Sequence, residues 1–546
     1  MRYCLALIIL IISQHSFGQG VILVNDYIRD YARLLEIQGK DVNNPILFHS
    51  NQTEIWQYDS IPHDSLTFWQ DQLKYYQDSK EKGLNIYALS PRIDYTYNSK
   101  YSRTYNDGPL WSGRGSTIGI NAGIKLKWGP ITGVLYPNFY HAQNKHYKRQ
   151  SPGQTGLNPR QNELNYQLSN QIDWVQIFGF EPFSEFDWGQ SNISAVLGPV
   201  KVKFGSENMW WGPSVMNPIM MSNTGPGFPH LDIGTAKPVR TKYGDFEFNS
   251  IWGQLGESDY FEEIPSNDKR YIVGLTFGYR PSFSEFMKGF SIGMGRVLQK
   301  NWPNSGLPFG DIFLGLKNAD PNKQDSNGNP VADNIDQLIS LNARWYFDQS
   351  GAEIYFEWVR NTALFKDFIQ KPEQGSVFTF GLQKSYKSAS ASYKFGFEHT
   401  SMASPRSQAN SESSDIYTHP FVRQGYTHNG HLLGAPIGPG SKSQLISIDR
   451  FHNKGKFGFS LNRIRFNDNY FWRAFGGTGD FLRHDVEWNF GLDAVRFFKM
   501  LEFSTKFIYS RRMNMHYYHK LDVNNFQILT SIKWHITQKP LLSIDL

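Results

Sequence analysis

From Leu84 onward, apolar and polar positions alternate with a period of two. Ile93, Tyr95 and Tyr97 interleave with Arg92, Asp94 and Thr96. Ile118, Ile120, Ala122, Ile124, Leu126 and Trp128 interleave with Gly119, Asn121, Gly123, Lys125 and Lys127. The rhythm returns at Val200, Val202 and Phe204, and again at Tyr271, Val273, Leu275, Phe277 and Tyr279. It recurs at Ile339, Leu341, Ala343, Trp345 and Phe347, at Val486, Trp488, Phe490 and Leu492, and at Phe526, Ile528, Thr530, Ile532, Trp534 and Ile536. Successive side chains of a strand point to opposite faces, so each run has one apolar and one polar face. The runs are about ten residues or longer, with Tyr, Trp or Phe near an end, which suits a tilted strand crossing hydrocarbon between two aromatic girdles. Strands of soluble sandwiches are nearer five or six residues. The pattern predicts an all-β chain, a large antiparallel transmembrane β-barrel over residues 84–546 with roughly sixteen to eighteen strands. A large secreted β-sandwich or propeller is the soluble alternative.

Ahead of Leu84 the period is helical. Asn25-Asp26 offers an N-cap, Tyr27, Ile28, Tyr31, Leu34 and Leu35 fall at helical spacing, and Gly39 stops the run. A second helix is predicted from Asp64 through Lys82, with Leu66, Trp69, Leu73 and Tyr76 on one side and Gly83 after it. Residues 19–83 therefore read as a small helical appendage, periplasmic if the barrel is bacterial. Residues 1–18 read as a secretory signal: Met1-Arg2 is basic, Tyr3 to Ile12 is apolar but too short to span, and Ser16-Phe17-Gly18 supplies small residues at the cleavage site. Its removal takes away Arg2 and the single cysteine, Cys4, leaving no thiol for a disulfide, a metal or a nucleophile.

Composition narrows the classes. A mean hydropathy of −0.48 excludes a helical membrane protein, and 16% aromatic residues argue against disorder. A net charge of +6, dispersed along the chain, gives no nucleic-acid footprint. Residues 205–241, 299–335 and 400–442 are rich in Gly, Pro, Asn and Ser and are predicted as long outer loops or segments folded into the lumen.

Residues 207–232 are the densest unusual stretch. Trp210, Trp211, Asn217, Asn223, Phe228 and His230 combine aromatic faces with amide partners, the chemistry that grips sugar rings, or they pack as a plug that fills a wide barrel. Lys125, Lys127, Lys201, Lys203, Arg344 and Lys533 lie on the polar face. They would attract acidic sugars, set anion preference in a pore, or simply balance inward carboxylates. Asp325, Asn327, Asn329, Asp333 and Asp336 match five positions of a calcium loop, but Pro330 stands where the sharp turn wants Gly, so a solvated loop is the better reading. His516 and His519 are three apart on an expected strand and so face opposite ways. Glu257, Asp259, Glu262, Glu263 and Asp268 read as a solvated acidic loop. No His-Glu-x-x-His or Gly-x-Ser-x-Gly motif occurs. No enzyme and no cofactor is expected.

Certain runs resemble the capsule-assembly Wzi family. They are Trp210-Trp211-Gly212-Pro213-Ser214, Ile219 through Asn223, Gly225 through His230, Gly253-Gln254-Leu255 and the opening Asn25 through Leu35. Leu433-Gly434, Gly438 through Ser441 and Ser447 through Arg450 match more weakly, and the chain ends Ile544-Asp545-Leu546 rather than on the terminal aromatic of many outer-membrane barrels. The resemblance implies an outer-membrane barrel of about eighteen strands with a periplasmic helical part. It also implies a lectin-like role in binding or organising capsular or other surface polysaccharide. The expected partners are that polysaccharide and outer-membrane lipid, with the chain a monomer. The alternative is a porin-like channel with a basic lumen.

Overall fold

A computed structural model describes residues 18–19, 26–40, 48–50, 69, 83–151, 163–166, 172–262, 267–302, 335–361, 376–404, 415–477, 481–535 and 540–544. The alternating runs form one antiparallel sheet that closes on itself. Its strands are β1 (Leu84–Asn98), β2 (Gly115–Trp128), β3 (Ile131–Leu135 and Asn138–Ala142), β4 (Phe183–Asp187 and Asn192–Leu197), β5 (Val200–Gly205) and β6 (His230–Thr235 and Val239–Thr241). They continue as β7 (Gly244–Gly256), β8 (Lys269–Pro281), β9 (Phe290–Asn301), β10 (Ile335–Phe347), β11 (Ala352–Arg360) and β12 (Ser376–Lys387). The last six are β13 (Ala391–Ser401), β14 (Lys442–His452), β15 (Gly455–Arg465), β16 (Val486–Phe498), β17 (Leu501–Met513) and β18 (Val523–Trp534). Closure is by β18 on β1, with Gln527 opposite Asn98 and Lys533 opposite Arg92. The barrel has eighteen strands.

The polarity of the wall is inverted relative to a protein in water. Along β2, Ile118, Ile120 and Trp128 are 48%, 50% and 51% exposed, while Thr117 and Lys125 are 1% and 5% exposed. Apolar residues outside and polar residues inside are stable only if hydrocarbon surrounds the barrel. The soluble sandwich and propeller are thereby excluded. Short turns such as Gly129-Pro130, Tyr243 and Lys454 lie at one end of the barrel, and all the long connections lie at the other.

Three expectations change in detail. His230 does not lie in a loop; it opens β6 and pairs with Gly205 and Gly253. His516 is in the turn after β17 rather than on a strand, because Asn514, His516 and Tyr517 have positive φ and bend the chain into a short 3-10 turn. The polar inner face also has exceptions: Ile272, Val297, Leu338, Val359 and Val377 are apolar and fully or almost fully buried. They face a plug rather than water.

The first helix, α1 (Tyr27–Ile37), forms as its periodicity requires. Asp26 caps it by accepting from the Ile28 amide at 3.2 Å, and beyond its end Gly39 takes φ +78°. It sits inside the short-turn mouth against Phe451 and Phe497. The signal segment through residue 17 and the helix expected from Asp64 through Lys82 lie outside the described residues, apart from Trp69, whose ring stacks on Tyr31 at 4.4 Å. Near the middle of β2, Ile120→Arg should destabilise the barrel by about 2–4 kcal/mol. Urea unfolding from lipid vesicles measures this, with Ile120→Leu as a near-neutral control.

Candidate functional site

The lumen is divided into a plug, a floor and a chamber. The plug is the 206–229 connection, which turns inward after β5. Trp211, Ile219, Met220, Met221 and Phe228 pack with Tyr417, Tyr426, Leu432, Leu433 and Ile437 from the connection between β13 and β14. Tyr426 Oη donates to the Met220 carbonyl at 2.8 Å, Ser222 N to the Leu433 carbonyl at 2.8 Å, and Ser222 Oγ to the Gly434 carbonyl at 2.6 Å. Two stretches singled out in the sequence, around Trp210 and around Gly434, are thus the two halves of one packed body. Gly274 of β8 leaves room for it, since a Cβ there would stand 2.5 Å from the Trp211 ring.

Two wall carboxylates moor the plug. Glu398 of β13 accepts from the backbone amides of Val215 at 2.6 Å, Met216 at 3.1 Å and Asn217 at 2.9 Å, and from Tyr355 Oη at 2.9 Å. Glu357 of β11 accepts from Ile219 N at 3.1 Å and Ser214 Oγ at 3.2 Å. Just ahead of these contacts the chain turns at Gly212, with φ +97°, where a Cβ would crowd the Glu357 carboxylate at 3.1 Å. Sequence reasoning missed both glutamates. The available signal was a carboxylate directly flanked by aromatic rings, Phe356-Glu357-Trp358 and Phe397-Glu398-His399.

All six residues proposed from the sequence are buried in this region, none at the outer mouth. Trp210 donates its indole N–H to the Ser214 carbonyl at 3.0 Å, and Asn223 donates to the Asn106 carbonyl at 2.9 Å. His230 Nδ1 lies 2.7 Å from the Phe228 carbonyl. Among the calcium-loop positions, only Asp336 is described; it lies on β10 and accepts from Gln299 Nε2 at 2.7 Å. The other four lie outside the described residues.

The basic inner wall is charge-paired. Lys203 meets Glu207 and Asp232, Lys201 meets Asp232 at 3.5 Å, and Lys533 meets Asp26 at 3.2 Å. Arg344 bridges Glu36 and Glu353 at 2.6 and 2.7 Å. Lys125 and Lys127 occupy the same inner face of β2. The floor, α1, owes its seat to these pairs. Its Asp30 contacts Lys394 and Lys456, and Arg33 reaches Glu353 at 2.7 Å and the Pro213 carbonyl of the plug at 2.8 Å. Burial alone would raise the Asp30 carboxyl, but the two lysines hold it well below the usual carboxylate range.

Beside the plug, along β13–β18 and β1, a polar chamber of about 550 Å³ remains. Asp30 and Arg33 line it from the floor, Arg103, Tyr105 through Leu110 and Ser214 through Met216 from above, and Trp210 and Asn223 from the side. Its roof is ionic: Arg103 meets Glu487 at 3.3 Å and Tyr101 Oη donates to Glu487 at 2.8 Å. Arg512 grips Asp485 through two bonds of 2.7 and 2.6 Å. Above this roof, toward the long loops, lies a small cavity of about 80 Å³ bounded by Tyr166, Trp174, Asn467 and His516. Tyr166 and Trp174 lie 4.1 Å apart. This aromatic cleft was not singled out in the sequence, because its members come from three distant segments.

An eighteen-stranded barrel with an apolar outer face and a polar inner face defines an outer-membrane β-barrel. The family model for the capsule assembly protein Wzi matches residues 101–524, and the chain belongs to that family. No curated protein sequence matches the chain. Among solved structures, it is similar to Wzi of Escherichia coli, an outer-membrane protein involved in group 1 capsule assembly and a carbohydrate-binding β-barrel. The identity is 12%, the TM-score 0.62, and the match covers 95% of this chain and 100% of that one. OccD3 of Pseudomonas aeruginosa (9% identity, TM-score 0.40, 84% and 92% covered) and OprB of Pseudomonas putida (12%, 0.35, 83% and 94%) are more distant and carry no argument.

Glu398→Ala leaves three plug amides without their acceptor, which should loosen the plug by roughly 3 kcal/mol and convert a silent barrel into one with conductance steps in planar bilayers. The depressed Asp30 carboxyl stabilises α1 above its unfolded value of 3.8 and loses that contribution only as pH falls through its lower folded value. Limited proteolysis of the N-terminal segment should therefore be unchanged from pH 7 to pH 4 and should accelerate only in stronger acid, while Asp30→Asn should accelerate it at pH 7.

Proposed function

We propose that this barrel binds and organises surface polysaccharide at its long-loop mouth, as a non-enzymatic, lectin-like outer-membrane protein whose α1 end faces the periplasm. The observation that carries this reading is the location of the family-like runs at 25–35, 210–229 and 433–441: they lie within the lumen. A barrel so plugged is suited to holding a polymer outside rather than conducting solutes. The cleft of Tyr166 and Trp174 beside Arg512, Asp485 and Asn467 has the composition of a saccharide subsite, with indole and phenol faces for pyranose C–H groups and charge-fixed acceptors and donors for hydroxyls. A long polymer engaging many weak subsites gains retention by avidity.

Retention of purified capsular polysaccharide on the immobilised barrel tests this. Trp174→Ala should lower retention at least tenfold with the barrel's heat-modifiable gel mobility unchanged. The Trp210→Ala, Trp211→Ala double variant should instead lose the plug, seen as conductance. Conductance in the unaltered barrel with no polysaccharide retention would favour the porin-like alternative.

A further inference from the structure

The chamber beside the plug holds donors that the chain itself does not use. Asn462 of β15 and Asn489 of β16 stand directly opposite one another and border the chamber. Both are only 4% exposed. Asn462 Oδ1 accepts from Ser443 Oγ at 2.8 Å, and Asn489 Oδ1 accepts from Ser510 Oγ at 2.6 Å. The two serines are fully buried and have no other acceptor among the described residues, so these bonds fix which way each amide is turned. The two Nδ2 groups then point away from the serines, and among the described residues neither has an acceptor. Buried donors are costly to leave unmet, so the pair calls for a polar guest.

One residue pair nearer α1, the wall is bare. Gly491 follows Asn489 on the inner face of β16 and pairs with Ser460. A Cβ at Gly491 would run into Ser460 Oγ and would stand 3.9 Å from Lys506 Cε. Lys506 is itself opposite Asp493, the next inner residue of β16, so its arm leans toward the asparagine pair. The charges acting on it are Asp493, Asp107, Arg103 and Lys456. Asp493 pairs with Lys456 at 3.4 Å, Arg103 pairs with Glu487, and Asp107 accepts from Ser112 Oγ at 2.7 Å. Among the described residues no carboxylate forms an ion pair with Lys506.

Two amide N–H groups, a hydroxyl and an ammonium thus surround one uncovered patch of wall. The two oxygens of a carboxylate meet them together, with a charge-assisted bond from Lys506. At about 550 Å³ the chamber is far larger than a bare carboxylate, and Ser504, Gln527 and Ser531 line its remainder. Asp107 and Asp493 disfavour a doubly charged phosphate, while their remaining oxygens suit sugar hydroxyls.

We propose that the chamber binds a uronate sugar, its carboxylate held by Lys506, Asn462 and Asn489 over Gly491. This rests on the saccharide-binding reading above for the class of guest, names acidic sugar within that class, and places a second site inside the barrel.

Saturation-transfer NMR of the full chain in amine-oxide micelles tests this, with sodium glucuronate as probe and glucose, acetate and inorganic phosphate as competitors. Each competitor should need at least tenfold the concentration at which unlabelled glucuronate displaces the probe. Lys506→Met should weaken glucuronate binding at least tenfold, and so should Gly491→Ala, which fills the patch without removing a donor. Lys506→Arg should keep binding within about fivefold. Lys454→Met, on an exposed short turn, removes the same charge and should leave binding unchanged. All four should keep the heat-modifiable mobility. Displacement by acetate, phosphate or glucose as readily as by glucuronate overturns the proposal, as does the absence of saturation transfer, which would leave a chamber of water only. Binding indifferent to both Lys506→Met and Gly491→Ala overturns it too. Glucuronate binding without polysaccharide retention would defeat the function proposed above and leave this site standing, and the reverse result would do the opposite.

Discussion

A backbone N–H or C=O facing hydrocarbon has no water to turn to, so every strand must find partners on both edges. That requirement closes β18 on β1 across most of the chain's length. It also forces the alternation outward: the apolar side chains meet lipid and the polar ones face a lumen too wide to fill with wall residues alone. The loops supply what the wall lacks. The plug fits where the inner face is apolar, at Ile272, Val297 and Leu338, and where Gly274 gives way to Trp211. β5 and β6 end where the chain turns inward as the plug, and the first residues past their ends still bond to the wall, Ser206 N to the Ser191 carbonyl at 2.9 Å and Gln254 N to the Pro229 carbonyl at 3.0 Å.

Charges inside the barrel serve mainly to hold other parts of the chain. Glu357 and Glu398 are wall residues whose partners are loop amides, and Lys394, Lys456, Arg344 and Lys533 are wall residues whose partners are on or beside α1. Ion pairs of this kind gain little over apolar packing but are costly to break singly, so they fix position more than they add stability. Of the basic lumen residues noted in the sequence, Lys201, Lys203, Arg344 and Lys533 each meet a carboxylate.

The barrel was legible because its signal is local. Ile118, Ile120 and Trp128 announce an outer face within one strand, and Asp26 and Gly39 bracket α1 within a dozen residues. The plug was half legible: the density of Trp, Pro and Met from 207 to 232 marked a structured segment, and its burial is what such residues do. His230 was misplaced because a strand that begins directly after Phe228-Pro229 carries no turn signal of its own. The seat of α1 could not be read at all. Asp30 and Arg33 look like a solvated helix face, and their partners lie on β11, β13 and β15, more than three hundred residues on. The aromatic cleft of Tyr166, Trp174 and His516 was hidden for the same reason.

Asp26 and Lys533 are 507 positions apart, yet they meet. The other partners of α1, Glu353, Lys394, Phe451, Lys456 and Phe497, lie on β11 and on β13 through β16. Eleven residues at the front of the chain thus brace the later half of the cylinder from within, and Arg33 carries the same brace to the plug through the Pro213 carbonyl.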